Sequence, residues 1–370
     1  MQTQAAVLWN LNEPWNVEEV ELGDPVAGEV QLRLAASGLC HSDEHLVTGD
    51  IPIPMPVVGG HEGAGVVTKV GPGVTSVQEG DHAVLGFIPA CGRCRMCATG
   101  HSNLCDLGMF LMSPVAIADN THRVTAKGQG VGRMCQLGTF SPYVTVHEAS
   151  VIKIEDDIPL DKACLIGCGV TTGWGSSVYA AKVQPGECVV VVGIGGIGTS
   201  AVQGAKLAGA KWIVAVDPVE FKREQAMQFG ATHTAKDLDE AFKVVNDLTW
   251  GQLADKALIT TGVATGDLIA PTMATVSKNG RIVVTAVAPF SQTQVNLSLF
   301  ELTLFQKELI GSIFGSANPR ADIPKLCSLY REGQLKLDEM ITRTYKLDDI
   351  NDGYQDMRDG KNIRGVIVYD

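Results

Sequence analysis

The sequence predicts an α/β protein with two domains, a β-rich domain and a doubly wound parallel sheet. Residues 1 to about 165 are rich in glycine, proline and short β-branched runs, whereas strand-like and helix-like segments alternate from about 170 to 312. A chain of 370 residues also exceeds the size at which a single hydrophobic core usually stops growing. We therefore predict one domain from residues 1–169 and 313–370, and a second domain from residues 170–312.

The first part contains candidate strands at residues 64–70, 81–85 and 143–146, all rich in β-branched residues. Turn signals lie between them, as in Gly71-Pro-Gly and Gln78-Glu-Gly-Asp. Short strands with such turns are typical of antiparallel sheets. The sequence therefore predicts that the first part is all-β.

The second part alternates between strands and helices, which indicates βαβ units around a parallel sheet. The predicted strands are residues 188–192, 212–216, 256–259 and 281–287, and the predicted helices are residues 197–208 and 220–229. After residue 311 the pattern predicts helices at 321–332 and 347–359 and a last strand at 365–369.

Composition narrows the class of protein. Apolar residues make up 45% of the chain and charged residues 19%, which is typical of a globular protein. The net charge of −12 argues against nucleic acid or an anionic membrane as a partner, because both attract basic surfaces. The first residues lack the basic and apolar regions of a signal peptide. Ten cysteines without such a signal favour a reducing compartment, and we expect the cytoplasm.

Residues 188–205 carry no charge and are long enough to suggest a membrane span. This stretch contains five glycines and begins with a run of four valines. A buried strand, a glycine turn and a helix explain it better, so we predict no membrane segment.

Four cysteines fall within fifteen residues, at Cys91, Cys94, Cys97 and Cys105. Thiolates this close in sequence can converge on one cation, as in closed tetrahedral zinc sites. The alternative is a set of disulfides, but cysteines separated by two residues rarely meet disulfide geometry. The spacing therefore predicts a structural zinc site.

A glycine-rich turn joins a predicted strand to a predicted helix, and its residues are Gly193, Gly195, Gly196, Ile197 and Gly198. In this pattern the first glycine allows the tight turn, the second lets the backbone approach a pyrophosphate, and the last allows close helix–strand packing. The helix N-terminus then offers unpaired N–H groups to the anion. The turn predicts a dinucleotide site.

Asp217 follows at the end of the next predicted strand, nineteen residues after Gly198. A carboxylate there can bind a ribose 2′-hydroxyl and repels a 2′-phosphate, which favours NAD over NADP. Asp217 could instead cap the next helix, or do both. Lys222 and Arg223 lie nearby, and basic residues can accommodate that phosphate.

A second cluster of candidate ligands comprises Cys40, His61 and Cys168. Taken singly, the two cysteines resemble packing thiols and the histidine an ordinary loop residue. Together they provide two sulfurs and one imidazole, which is the ligand set of a catalytic zinc with an open fourth position. Because Cys168 lies over a hundred residues from the others, spacing alone does not establish this site.

These motifs, in this order, resemble the medium-chain zinc-dependent alcohol dehydrogenases over essentially the whole chain. The segments 40–50, 216–223 and 317–324 resemble more narrowly the nitrosoaniline-dependent alcohol dehydrogenases of actinobacteria, which hold NAD tightly. The resemblance implies a GroES-like catalytic domain with two zinc sites and a Rossmann-type NAD-binding domain. It also implies hydride transfer between a primary alcohol, or an aldehyde, and NAD.

The resemblance assigns roles residue by residue. Cys40, His61 and Cys168 would bind the catalytic zinc, and the four clustered cysteines the structural zinc. Asp43 would orient His61, and Glu62 would lie behind the metal. Ser42 would accept the substrate proton and pass it, through the nicotinamide ribose, to His45 at the surface.

The resemblance also assigns cofactor and substrate contacts. His41 and Arg364 would contact the pyrophosphate, Lys222 the adenosine ribose beside Asp217, and Thr172 the nicotinamide. Phe87 and Phe110 would line the substrate channel, where apolar side chains suit an apolar alcohol.

Two alternative functions differ from this interpretation. The first is a formaldehyde dehydrogenase acting on a mycothiol or glutathione adduct, but residues 106–112 lack the arginine that binds the adduct's carboxylate in those enzymes. The second is a catalytically silent NAD-binding sensor, but such relatives usually lose a zinc ligand. The family also implies a homodimer or homotetramer, with residues 281–315 as the candidate seam, and an external electron acceptor as a possible partner.

Overall fold

A computed structural model describes all 370 residues of the chain. It contains eighteen strands, β1 (Gln2–Leu8), β2 (Asn16–Leu22), β3 (Glu29–Gly38), β4 (Val57–Val58), β5 (Gly63–Val70), β6 (His82–Leu85), β7 (Val124–Ala126), β8 (Gln129–Arg133), β9 (Tyr143–His147), β10 (Val151–Lys153), β11 (Cys188–Val192), β12 (Trp212–Val216), β13 (His233–Ala235), β14 (Ala254–Ile259), β15 (Val276–Val284), β16 (Glu308–Gly311), β17 (Ile341–Tyr345) and β18 (Arg364–Val368).

Eleven α-helices complete the regular structure, together with shorter helical turns. They are α1 (His41–Thr48), α2 (Arg95–Ala98), α3 (Leu160–Ala163), α4 (Gly169–Gly175), α5 (Gly196–Leu207), α6 (Glu220–Phe229), α7 (Leu238–Leu248), α8 (Ile269–Ala274), α9 (Leu299–Leu304), α10 (Pro319–Arg331) and α11 (Ile350–Arg358).

Contacts divide the chain into two compact units, Met1–Cys168 with Asn318–Asp370, and Gly169–Ala317. In the first unit, β1, β2, β7, β8 and β4 close a small barrel. The remaining strands form a seven-stranded sheet in the order β10-β6-β5-β3-β18-β17, and β9 also pairs with β3. Most of these pairings are antiparallel, as the turn punctuation predicts. The prediction that this part is all-β is wrong, because α1 and α2 interrupt its strands.

The second unit is a six-stranded sheet in the order β13-β12-β11-β14-β15-β16, and every pairing in it is parallel. This is the strand order of a doubly wound dinucleotide-binding fold. Its core is formed by the apolar faces of β11, β12, β14 and β15 with residues of α7 and α8. The predicted doubly wound parallel sheet is thus confirmed.

Individual elements show where the local sequence pattern is enough to predict secondary structure. The observed β11, β12 and α6 coincide with the predicted segments. The sequence pattern does not predict β13, since three residues are too few to show a period. Strand β15 begins at Val276, five residues before the predicted start at 281. The left-handed Asn279 (φ 59°) lies inside the strand without ending it, so the apolar run from 281 marks only its second part.

The uncharged stretch 188–205 is divided between β11, a turn and most of α5, as predicted. None of the helices combines the length and the apolar character that crossing a bilayer requires.

Candidate active site and metal centres

Helix α1 presents several of the predicted functional residues on one short element. It begins directly after Cys40, which is its N-cap, and it ends at Thr48, before the left-handed Gly49 (φ 79°). Residues four apart on a helix share a face, and the rings of His41 and His45 accordingly lie 5.3 Å apart. The Ser42 hydroxyl oxygen lies 3.7 Å from the Cys40 sulfur.

The fold brings Cys40, His61, Glu62 and Cys168 together in the first unit. One ligand atom from each lies within 4.8 Å of the others, and all four residues are buried. The His61 Nε2 atom is buried without a hydrogen-bond partner. A buried polar atom is normally paired, so its position among two sulfurs fits a cation better than a packed core.

Electrostatics at this cluster also fit a cation. A hydrogen bond from the Cys168 thiol holds the pKa of Cys40 well below its ordinary value. The same bond, with burial, raises the pKa of Cys168. Burial alone lowers the pKa of His61, but the charges of Asp43 and Cys40 raise it above the ordinary value. The donor set of two sulfurs and one imidazole is that of a catalytic zinc, which displaces the shared proton on binding.

Asp43 holds the His61 imidazole from behind. Its Oδ1 atom lies 3.3 Å from His61 Nδ1 and accepts a 3.0 Å hydrogen bond from the Gly60 amide. Its Oδ2 accepts a hydrogen bond of 3.3 Å from the Cys40 amide. This arrangement directs Nε2 of His61 into the cluster, and a carboxylate in this position orients metal-binding histidines in many sites.

Glu62 and Arg364 form a buried ion pair that the sequence pattern does not predict. The Glu62 and Arg364 side chains are 0% and 4% exposed, and the guanidinium also donates to the Leu39 carbonyl. Burial raises the pKa of Glu62 even though Arg364 opposes this. The Nε atom of Arg364 is buried without a partner. The pyrophosphate contact of Arg364 stays a prediction.

The expectation that His45 lies at the surface is wrong. Its side chain is 2% exposed, and its Nδ1 atom lies 2.9 Å from Oδ2 of Asp50, whose side chain is 26% exposed. Asp50 follows the helix-ending Gly49, and its partly exposed carboxylate joins the buried imidazole to the surface. Hydrogen bonds from His45 and Thr48 hold the pKa of Asp50 below its ordinary value. The sequence does offer a signal for Asp50, because this residue lies five positions after His45 and directly after the glycine that ends the helix.

The two predicted channel residues differ in how far the structure supports them. The Phe87 ring packs edge-on against His61, at a centroid distance of 5.9 Å. Phe110 lies in a helical turn beyond Cys105 and is half-buried. Phe87 therefore lies beside the ligand cluster, while the channel role of Phe110 stays a prediction.

The four clustered cysteines converge as their spacing predicts, with their sulfur atoms within 4.8 Å of one another. None of them is in a disulfide. Backbone amides point at the sulfurs, and those of Asp106 and Cys97 lower the pKa of Cys94 to about 6. Amides directed at the sulfurs and four converging cysteines fit a closed structural zinc site.

The glycine turn has the geometry that a pyrophosphate requires. A Cβ atom on Gly198 would lie 1.9 Å from the Gly193 carbonyl oxygen, so only glycine permits this helix–strand packing. A Cβ atom on Gly195 would meet nothing within 4 Å, which leaves room for a ligand. Helix α5 begins at Gly196 and has no side-chain cap, so its first N–H groups can bind an anion.

Asp217 lies at the end of β12, beside this turn. Its two carboxylate oxygens accept hydrogen bonds of 2.8 Å and 2.9 Å from the amides of Ile194 and Val219. It therefore joins the glycine turn to the start of α6, and both carboxylate oxygens keep lone pairs for a ribose. Arg223 donates to the carbonyls of Asp217 and Pro218, so it is already held by the backbone.

Two other predicted cofactor contacts lie in the second unit. Lys222 is half-buried on α6, five residues after Asp217. Thr172, on α4, is buried and its hydroxyl has no hydrogen-bond partner. An unpaired buried hydroxyl indicates a polar group that a ligand can satisfy.

Comparison with known proteins identifies the class. Residues 26–156 match the alcohol dehydrogenase GroES-like domain, and residues 196–332 match the zinc-binding dehydrogenase family. The chain is 52% identical to alcohol dehydrogenase B of Mycobacterium tuberculosis, covering 100% of this chain and 99% of that one. It is 51% identical to the NDMA-dependent alcohol dehydrogenase of Amycolatopsis methanolica, with the same coverage. The crystal structure of benzyl alcohol dehydrogenase from Acinetobacter calcoaceticus superposes with a TM-score of 0.92, at 30% identity over 100% of both chains.

The fold and the two metal-binding clusters thus define a zinc-dependent dehydrogenase. The chain belongs to the medium-chain zinc-dependent alcohol dehydrogenases, and its cofactors are zinc and NAD. The predicted GroES-like and Rossmann-type architecture is confirmed, as is the narrower resemblance to the NDMA-dependent enzymes.

Proposed function

We propose that this alcohol dehydrogenase oxidises apolar primary alcohols at the Cys40–His61–Cys168 cluster and retains its NAD between turnovers. In this cycle an external acceptor reoxidises the bound cofactor. The buried set of converging sulfur and imidazole ligands is the observation that supports the chemistry. The identity of 51% with an NDMA-dependent enzyme over the whole chain supports the mode of cofactor cycling.

In this proposal Cys40, His61 and Cys168 hold the catalytic zinc. Zinc supplies a Lewis acid that lowers the pKa of an alcohol hydroxyl, while NAD supplies the hydride acceptor. Ser42 Oγ, 3.7 Å from the Cys40 sulfur, accepts the proton of the substrate hydroxyl while releasing its own proton towards His45. His45 and Asp50, joined by their 2.9 Å contact, carry the proton to solvent. Phe87 offers an apolar wall beside His61 and favours an apolar substrate.

The clustered cysteines Cys91, Cys94, Cys97 and Cys105 hold the structural zinc in the proposal. The glycine turn and the start of α5 bind the pyrophosphate, with His41 and Arg364 as further donors. Asp217 and Lys222 bind the adenosine ribose, and the Thr172 hydroxyl contacts the nicotinamide.

In the proposal Asp217 sets the preference for NAD, and removal of its charge tests this role. Asp217→Asn keeps an acceptor for one amide but removes the charge that repels a 2′-phosphate. We expect NADP affinity to rise by at least about tenfold, which corresponds to about 1.4 kcal/mol, and NAD affinity to fall. Equilibrium binding to protein freed of cofactor measures both values.

The matched control is Asp237→Asn, since Asp237 also accepts a backbone amide, at the start of α7, but lies outside the glycine turn. It should leave both affinities unchanged. Equal binding of NAD and NADP by the wild-type protein would contradict the role given to Asp217.

Cofactor cycling is the experiment that tests the proposed function. We expect alcohol oxidation without added NAD when a nitrosoaniline is supplied as acceptor. Free NAD alone should give little steady turnover, because reduced cofactor stays in its site. One equivalent of alcohol should produce NADH absorbance that remains with the protein through gel filtration.

A clear result against this cycle is rapid, repeated turnover with free NAD as the sole acceptor. In that case NADH absorbance would separate from the protein on the column. The zinc ligands and the hydride chemistry would then remain supported, and only retention of the cofactor would be abandoned.

The proposal includes a homodimer or homotetramer. Strand β16 forms one edge of the six-stranded sheet, so its outer backbone groups are available for pairing. Leu299, Phe300 and Leu304 on α9 are 63% to 70% exposed, and they lie in the candidate seam 281–315. We also place the enzyme in the cytoplasm, because thiolate ligands require reduced cysteines.

A further inference from the structure

Three residues of the second unit form a chain of hydrogen bonds whose direction can be worked out. The Ser176 hydroxyl donates to the Thr172 carbonyl at 2.7 Å, and its oxygen lies 2.8 Å from Oγ1 of Thr285. A hydroxyl group carries a single proton. Because Ser176 gives its proton to Thr172, Thr285 must be the donor in the second contact. The Thr285 oxygen therefore keeps lone pairs with which it can accept a hydrogen bond from a further group.

Thr285 lies at the edge of the sheet where doubly wound proteins bind their ligands. It directly follows β15, and its amide donates to the Ile259 carbonyl at 3.1 Å, next to the pairing of β15 with β14. The register aligns Val192, Ile259 and Val284 across β11, β14 and β15. Gly193 and Thr285 each follow one end of this row, so they lie on the same edge, two strands or about 10 Å apart.

The order of the strands decides which half of a dinucleotide can reach Thr285. Strand β12 pairs with one side of β11, while β14 and β15 lie on the other side. In the proposed function the pyrophosphate binds at the glycine turn after β11, and the adenosine ribose binds at Asp217, after β12. The nicotinamide half therefore extends in the opposite direction, over the ends of β14 and β15.

The nicotinamide carries a group that matches the Thr285 oxygen. Its primary carboxamide has two N–H donors and one carbonyl acceptor, as the side-chain amide of asparagine does. Thr285 is 8% exposed, so few water molecules compete for its oxygen. The hydroxyl of Thr172, in the same chain of hydrogen bonds, is buried without a partner. Buried polar groups are normally paired, so this region lacks the hydrogen bonds that a polar ligand would supply.

We propose that Thr285 binds the cofactor, and that its side-chain oxygen accepts a hydrogen bond from the carboxamide N–H of the nicotinamide. Ser176 is a positioning residue in this arrangement, because it takes the Thr285 proton and so keeps the Thr285 oxygen an acceptor. The inference rests on the placement of the adenosine ribose at Asp217 in the proposed function. It gives a side chain outside the glycine turn a part in holding NAD.

Thr285→Val tests this, because it removes the hydroxyl and keeps the branched shape of the side chain. The donor can be removed separately with 3-acetylpyridine adenine dinucleotide, in which a methyl group replaces the carboxamide nitrogen. We expect Thr285→Val to lower the ratio of NAD affinity to analogue affinity about fivefold, the size of one uncharged hydrogen bond. Affinity for ADP-ribose, which lacks the nicotinamide, should not change. Competition binding to the full-length, zinc-loaded protein measures all three ligands.

Two further variants make the result specific. Thr285→Ser keeps the hydroxyl and should keep the wild-type ratio. Thr275→Val is the matched control, because Thr275 precedes β15 at its other end and its buried hydroxyl donates to the Thr272 carbonyl at 2.8 Å. This control should leave the affinities for all three ligands unchanged.

A wild-type affinity ratio in Thr285→Val would overturn the inference. Equal weakening of NAD, the analogue and ADP-ribose would also overturn it, because that result indicates general loosening of the site. The binding measurements contain no alcohol and no electron acceptor, so they are independent of the proposed cofactor cycle. If cofactor cycling failed while Thr285→Val still lowered the ratio, only the proposed cycle would be abandoned.

Discussion

Replacing Cys168 with alanine is expected to remove one of two zinc ions and to abolish nearly all alcohol oxidation. Cys168 supplies one of the three ligands of the proposed catalytic zinc, and no other cysteine in the chain is grouped with that cluster apart from Cys40. Lewis-acid stabilisation provides several kcal/mol. At about 1.4 kcal/mol for each tenfold change in rate, turnover should fall by roughly three orders of magnitude or more. Elemental analysis and steady-state kinetics on the same preparation measure both effects.

The matched control is Cys327→Ala, which also removes a buried thiol from the first unit. Cys327 and Cys168 are 4% and 5% exposed, but Cys327 lies on α10 and belongs to neither ligand cluster. It should keep both zinc ions and its turnover. If Cys168→Ala kept wild-type turnover with only the structural zinc bound, zinc catalysis at this cluster would be refuted.

Replacing Arg364 with methionine is expected to produce the largest loss of stability. The substitution removes one partner of the buried ion pair with Glu62, and breaking a buried pair in this way costs about 3–5 kcal/mol. The double variant Glu62→Gln/Arg364→Met should recover most of that loss, because both charges of the buried pair are then removed. Urea unfolding of the zinc-loaded protein measures the free energies.

Lys69→Met is the control for this pair, because it breaks the salt bridge with Asp24 at the surface of the same unit. Exposed ion pairs contribute little to stability, so its unfolding midpoint should match that of the wild type. An Arg364→Met protein as stable as this control would show that Glu62 is neutral or is satisfied by other groups.

Local features of the chain were sufficient for much of the fold and for half of the metal chemistry. Cys91, Cys94, Cys97 and Cys105 converge because a short backbone segment can place all four sulfurs around one point. The glycine turn was also predictable, because left-handed backbone at Gly193 (φ 92°) and close packing at Gly198 admit only one residue type. In both cases the determining interactions lie within a few residues of each other.

The catalytic cluster depended on tertiary structure, and from residue patterns alone it could not be distinguished from packing cysteines and a loop histidine. Cys168 meets Cys40 and His61 only through folding of the first unit, and the resemblance to a known family was needed to predict that meeting. The ion pair of Glu62 with Arg364 joins residues 302 positions apart. A charged residue's partner at such a distance leaves no periodic signal in the sequence.

Residue patterns alone therefore sufficed to predict the parallel sheet, the dinucleotide turn and the structural zinc lobe, since each depends on short-range geometry or on the period of the hydrophobic residues. Tertiary packing, in contrast, was needed to show that His45 is buried and contacts Asp50, and that Arg364 pairs with Glu62. These features follow from how separate elements pack, and packing is selected by the shape and burial of many side chains at once. Residue type limits which chemistry a position can perform, while the packed fold decides which partners it has.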